Sequence, residues 1–171
     1  MQTQFQKGEY VRYAANGVCL VDDIRQMPEL KREEYFYILR PIADRNSTYF
    51  IPVDNAKLTA KLRPLLTKEE IDDLIDSVRD VHEPWIEDRK ERAELFRTIL
   101  RECDMRAVLS LAGTIYLRKQ FLDQEGKKLS PSDDSVLKQA ESMTENEFAF
   151  VLHMQNTEVG PYVRERLGIE T

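Results

Sequence analysis

Cysteine and histidine are almost missing from this chain and glycine is thin: two, two and six in 171 residues. Cys19 and Cys103 cannot build a disulfide framework, and neither sits in a zinc-type spacing. A reducing, cytoplasmic location is therefore the expectation. His82 and His153 are far apart, and neither has a partner four residues on, so no paired-histidine metal site is expected. The glycines are isolated, which excludes a glycine-rich phosphate loop. No apolar run approaches the roughly 18–20 residues that span a bilayer. The polar stretch Met1 to Tyr10 lacks an apolar leader, so neither export nor membrane insertion is expected.

Paired carboxylates do occur, at Asp22-Asp23, Asp72-Asp73 and Asp133-Asp134. Adjacent side chains diverge on a helix or strand, so these pairs do not naturally share a proton and read as solvated faces. Cys19 alternates within a strand and Cys103 falls on a helical apolar stripe, so both read as fillers rather than nucleophiles. No catalytic set emerges. The expectation is a protein without enzymatic activity, metal, cofactor or small-molecule substrate.

The chain is 42% hydrophobic and 33% charged, enough apolar residues for one domain core or two small ones. Net charge is −6, which argues against the whole surface binding a polyanion. The charges are partitioned. Residues 61–84 carry 4 basic and 7 acidic residues, and 121–171 carry 5 and 10, whereas 85–120 carry 8 and 6. Any contact with nucleic acid is expected through a local patch in 85–120.

The first sixty residues read as strands. Glu9 to Tyr13, Val18 to Ile24, Glu34 to Leu39 and Thr48 to Val53 are rich in aromatic and β-branched residues. Asn16-Gly17 signals a hairpin, with both residues tolerant of positive φ. Met27 to Arg32 and Asp44 to Ser47 are turn-like. Pro52 lacks a backbone donor, which puts its strand at a sheet edge or ends it there. Several short strands in so few residues suggest a small, strongly bent barrel.

After Lys57 to Pro64 the pattern turns helical. Thr67 and Glu70 form a capping box ahead of Ile71, Leu74, Ile75 and Val78. A second helix is expected from Trp85 to Cys103, after Pro84. Asp104 can cap a third, about Met105 to Leu122, apolar most of the way round and hence central. Ser130-Pro131 opens a fourth. Thr144 and Glu147 look like another capping box, and Gly160-Pro161 like an interruption. The expected architecture is α+β: a β-barrel domain over 1–60 and a helical bundle over 65–171.

Trp85 is the only tryptophan. If the second helix starts there, Trp85, Arg89, Arg92 and Phe96 share one face at i, i+4, i+7 and i+11. Buried arginine is costly without a partner. Either these arginines find carboxylates, or this end of the helix projects and offers an indole beside cations, a combination suited to nucleic acid. Lys90, Arg97 and Arg101 form a second basic stripe. Glu87, Asp88 and Glu91 would repel phosphates. In the β-domain, Tyr10, Tyr13, Tyr35, Phe36, Tyr37, Tyr49 and Phe50 are candidates for core packing, for an aromatic cage, or for an edge onto which a partner adds a strand.

Four segments carry a family resemblance: Phe5-Gln6-Lys7-Gly8-Glu9-Tyr10-Val11, Asn16-Gly17-Val18-Cys19-Leu20-Val21-Asp22-Asp23-Ile24, Tyr35-Phe36-Tyr37-Ile38-Leu39 and Tyr49-Phe50-Ile51-Pro52-Val53-Asp54-Asn55. Together they resemble the CarD/CdnL family of bacterial transcription regulators. Trp85, followed by Arg89-Lys90 and Arg92 and a helical remainder, extends the resemblance along the chain. It implies a Tudor-like domain that binds the RNA polymerase β subunit, a domain shared with the transcription-repair coupling factor. It also implies a helical domain that contacts promoter DNA at the upstream edge of the transcription bubble, with Trp85 as a minor-groove wedge that stabilises the open complex. The family is not catalytic. This chain departs from it in having Glu87 and Asp88 where basic residues often follow the tryptophan, Phe50 where an arginine often faces polymerase, and Met27 in place of another arginine, two residues from Arg25.

The expected DNA-binding residues are thus Trp85, Arg89, Lys90, Arg92 and Arg97. The expected polymerase-binding residues are Arg25, Arg45, Thr48, Tyr49, Phe50 and Ile51. The competing expectation is a protein-only adaptor whose β-domain binds polymerase or a peptide without DNA contact. The expected location is the cytoplasm, at the nucleoid through polymerase.

Overall fold

The computed structural model describes residues 3–28, 32–81 and 84–169, the side chain of residue 32 excepted. The chain divides into two units, Met1–Leu66 and Thr67–Thr171. The first is a five-stranded antiparallel sheet and the second is helical, so the fold is α+β.

In the first unit β1 (Tyr10–Tyr13), β2 (Val18–Met27), β3 (Arg32–Pro41), β4 (Tyr49–Pro52) and β5 (Leu62–Pro64) stand in the order β4-β3-β2-β1-β5. The sheet is open: β4 and β5 are its two edges and do not close it into a barrel. β5 lies beyond residue 60, inside the segment read as a transition to helix, so the sheet takes in more of the chain than the first sixty residues. A four-residue α1 (Ala56–Thr59), capped by the Asn55 side chain, leads into it.

Period-two alternation explains the core. Tyr37 and Leu39 of β3 meet Val11, Cys19, Val21, Ile51 and Leu62, with Phe5 packed edge-on against the Tyr37 ring. The Tyr37 hydroxyl accepts a hydrogen bond from the Gln4 N–H at 3.0 Å, which satisfies a phenol that would otherwise be costly to bury. Burial pushes the Cys19 thiol up to about 11, consistent with an inert filler. The hairpin between β1 and β2 differs from the expected Asn-Gly turn. A short 3-10 turn, Ala14–Asn16, fills it, and positive φ falls on Ala14 and Gly17. Buried Arg12 donates through Nε to the Ala14 carbonyl at 2.7 Å, a tie that anchors this tight conformation. Of the turn expected over Met27 to Arg32, Met27 belongs to β2 and residues 29–31 lie outside the described residues.

The second unit contains α2 (Lys68–Ser77), α3 (Arg89–Glu102), α4 (Met105–Gln124), α5 (Pro131–Leu152) and α6 (Asn156–Leu167). The Thr67–Glu70 capping box forms, Asp104 caps α4, and Ser130 caps α5 with Pro131 at its first position. α4 packs on α2, α3 and α5, with Val108, Leu111 and Ile115 meeting Phe96, Leu100, Leu137, Ala140 and Met143.

Three expectations fail here for identifiable reasons. Asp88, not Pro84, sets the start of α3: its carboxylate accepts from the Glu91 N–H at 2.8 Å, so Trp85 precedes the helix. Thr144 and Glu147 are buried in mid-α5, where the Thr144 hydroxyl donates to the Glu141 carbonyl, so they cap nothing. α6 runs through Pro161, its sixth residue, so the expected interruption does not occur, although proline there leaves one helical carbonyl without its N–H donor. Cys103, expected on the apolar stripe, packs against the Phe96–Leu100 cluster and is also the left-handed C-cap of α3. Two of the aspartates read as solvated are also engaged. Asp72 receives Lys68 and the Tyr162 hydroxyl of α6, and Asp133 is buried against α3.

Candidate nucleic-acid interface and polymerase-facing edge

In the second unit the candidate site is built around the segment Pro84–Asp88 that leads into α3. The Trp85 ring is partly buried. It meets Phe96 edge-on at 6.2 Å between centroids, and two guanidiniums lie over it, Arg92 at 4.7 Å and Arg118 at 5.3 Å. An indole held by three side chains is pre-oriented, and each partly desolvated cation–π contact contributes on the order of 1 kcal/mol.

Arg92 is not available to phosphate. Its Nε and one terminal nitrogen each reach an oxygen of Asp133 at 3.1 Å, and its other terminal nitrogen donates to the Ile86 carbonyl at 2.6 Å and the Glu87 carbonyl at 3.2 Å. Both side chains of the pair are nearly sealed, 7% and 8% exposed. Burial works against the Asp133 charge, but hydrogen bonds from Arg92 and Ser130, with Arg89 nearby, outweigh it and hold the carboxyl below its ordinary range. Arg92 thus clamps the Trp85 segment to α5. Sequence spacing offered a carboxylate partner or a projecting helix end, and the carboxylate was found 41 residues away.

The remaining cations are exposed: Arg89 at the first helical position, and Lys90, Arg97 and Arg101. The last three recur at i, i+7 and i+11 and form one outward stripe. Acidic neighbours interrupt the field. Glu87 is 78% exposed and approaches Arg118 at 3.6 Å, and Asp88 and Glu91 are exposed as well. Arg118 and Asp133 are the two residues that sequence reading missed. No local signal marks them; only the α3–α4 and α3–α5 packing brings them to Trp85.

In the first unit the candidates gather on and near edge strand β4. Its partner on one side is β3, with Tyr37 opposite Ile51 and Ile38 opposite Phe50. Alternation then splits the predicted residues. Phe50 points outward and is 44% exposed. Ile51 is in the core, so it can offer a partner only its backbone. Tyr49 is partly buried, packs edge-on against Tyr13 at 5.4 Å and donates to the Asn16 side chain at 3.2 Å. Thr48 is exposed, as is Arg45 in the preceding turn, which Asp44 holds through Ser47 and the Asn46 N–H. Arg25 is exposed on β2, 3.8 Å from Asp23 and opposite Phe36. The first unit therefore presents an apolar side chain and an unpaired strand edge, with two exposed cations, Arg25 and Arg45, earlier in the sequence.

This unit is an interaction domain. Residues 5–66 match the family model of the CarD-like/TRCF RID domain, an RNA polymerase interaction domain, and those residues are the sheet unit almost end to end. Residues 5–66 are consistent with a CarD-like family member, and the match points to RNA polymerase as a partner. Comparison with curated proteins finds no match.

Proposed function

We propose that the chain regulates transcription by docking its sheet unit on the RNA polymerase β subunit and stabilising the open promoter complex through its helical unit. In this reading Phe50 and the β4 edge make the docking contact, flanked by Arg25 and Arg45. Trp85, Arg89, Lys90 and Arg97 face promoter DNA at the upstream edge of the bubble. The protein performs no catalysis and works in the cytoplasm, at the nucleoid, wherever polymerase holds it.

One observation carries the reading: a polymerase-interaction domain is joined to a unit that holds a partly exposed indole under two guanidiniums and whose α3 also carries an outward stripe of cations. Docking explains how a chain of net charge −6 can use so small a basic patch. Tethering raises the local concentration of the helical unit at the promoter, so it need not find DNA alone. A wedge costs a few kcal/mol when it unstacks duplex, but much of that cost is already met at a fork. Favouring the melted state by about 1.4 kcal/mol shifts the equilibrium tenfold.

Trp85→Phe tests the wedge better than alanine, since a ring is kept over Phe96 and under the guanidiniums. Open-complex lifetime on a promoter should fall by about tenfold, with polymerase binding and thermal stability little changed. An unchanged lifetime would remove the wedge. The exposed carboxylates Glu87, Asp88 and Glu91 favour a second reading, a protein-only adaptor. Polymerase binding with no change in the promoter footprint would select it.

A further inference from the structure

Trp85 borders two features. One is an apolar groove of about 340 Å³ between α3 and α4, with Leu95, Ile99 and Ala107 in its walls; among the described residues its lining is uncharged. The other carries charge. Arg118 of α4 lies over the Trp85 ring at 5.3 Å and over the Phe121 ring at 5.5 Å, so indole, guanidinium and phenyl stand in a row. Phe121, one turn beyond Arg118, is 49% exposed, the most exposed large apolar side chain among the described residues. With the guanidinium against one face of the ring, its exposed part is the other face and edge. The cation is only loosely countered. Its partner Glu87 stands 3.6 Å away, too far for a hydrogen bond, and is itself 78% exposed, so the pair is weak and exchangeable. The local charge is positive. Residues 118–128 carry four basic residues and two acidic ones, in a chain of net charge −6. Glu125, one turn beyond Phe121, is already taken by Lys127 at 2.7 Å.

From this arrangement we infer that Phe121 is a stacking plate for one unpaired nucleobase, and that Arg118 exchanges Glu87 for the phosphate beside that base. An exposed ring backed by a cation suits an unpaired base: every base has a π-face, and stacking on an aromatic side chain is tolerant of sequence. Duplex DNA hides those faces between neighbouring pairs, so the plate selects melted strand. An apolar protein side chain would cover the ring equally well, but would gain nothing from the guanidinium or from the positive surround, both of which favour phosphate. The plate rests on the promoter reading and adds to it: Trp85 meets the fork, and Phe121 holds a base freed from it.

The test combines RNA polymerase, the full chain and a promoter, and reads open-complex lifetime. Phe121→Leu keeps an apolar side chain at an exposed position, so melting temperature and polymerase binding should be unchanged while lifetime falls about tenfold. An abasic nucleotide is then placed at each unpaired position along the upstream edge in turn. At one position, loss of the base should itself shorten lifetime and erase the difference between the wild type and Phe121→Leu, because ring and base act as one contact. Glu87→Gln removes the competing carboxylate from Arg118 and should lengthen lifetime about twofold to fivefold. A lifetime unchanged by Phe121→Leu, a difference that persists at every abasic position, or no gain from Glu87→Gln would overturn the inference. So would weaker polymerase binding by Phe121→Leu, which would give the ring to a protein contact. Trp85→Phe separates the plate from the reading beneath it. If Trp85→Phe shortens lifetime and Phe121→Leu does not, the plate alone falls; if neither does, the promoter reading falls and takes the plate with it.

Discussion

The two units present their candidate residues in opposite ways. In the sheet, presentation and packing are separated by geometry. Successive residues of β4 point to opposite faces, so Phe50 is offered outward while Ile51 fills the core. In the helical unit the same side chains do both jobs. Trp85 packs on Phe96 while keeping part of its ring exposed, and Arg92 holds that ring and spans to α5 through Asp133. A strand edge can change its contact residue without touching its fold. A buried ion pair under an indole cannot, so the presentation of the indole and the stability of the unit are coupled there.

The sharpest way to break this comparison is at Arg92. Arg92→Ala leaves Asp133 charged and buried, so the helical unit should lose about 3–5 kcal/mol, read by thermal or denaturant unfolding of the full chain. Loss of DNA effect without loss of stability would make Arg92 a contact residue after all. Next is the sheet edge. Phe50→Asp should weaken binding to the polymerase β subunit about tenfold while unfolding is unchanged, whereas Ile51→Ala should cost about 2–5 kcal/mol of stability. Equal effects of the two on stability would erase the separation claimed for β4.

The smallest expected effect is on acidification. Asp133 is held below its ordinary value in the folded chain. Its contribution is therefore complete above the unfolded value of about 4 and is lost as pH falls through the lower folded value. Glu141 and Glu145 have the opposite sign, since burial raises both, and they favour the folded state as they take up protons. Comparing the full chain with Asp133→Asn isolates the first term. Their difference in melting temperature should shrink from about pH 5 to about pH 2, and a difference that stays constant would mean the pair does not titrate with folding.

Much of this was legible locally. The β-strands announced themselves by alternation, and three helix caps were readable, at Thr67 with Glu70, at Asp104 and at Ser130, because a cap needs only residues three apart. The same locality misled at α3. Proline looked like the start signal, but Asp88 was the stronger cap, and moving the start by four residues took Trp85 off the helical wheel on which it had been aligned with Arg92 and Phe96. Thr144 and Glu147 had the right spacing for a box inside an apolar helix, and burial of that helix overrode the pattern.

The sequence by itself determined the class of each unit, the period-two and 3–4 patterns that bury one face, and the edge position of the strand that ends at Pro52, because all of these depend on neighbours along the chain. Only the tertiary structure decided what Arg92 does, that Arg118 stacks on Trp85, and that an apolar groove opens beside it. Those outcomes depend on which distant helix arrives with a carboxylate, a guanidinium or nothing at all. Long-range packing sets that, and no local spacing encodes it.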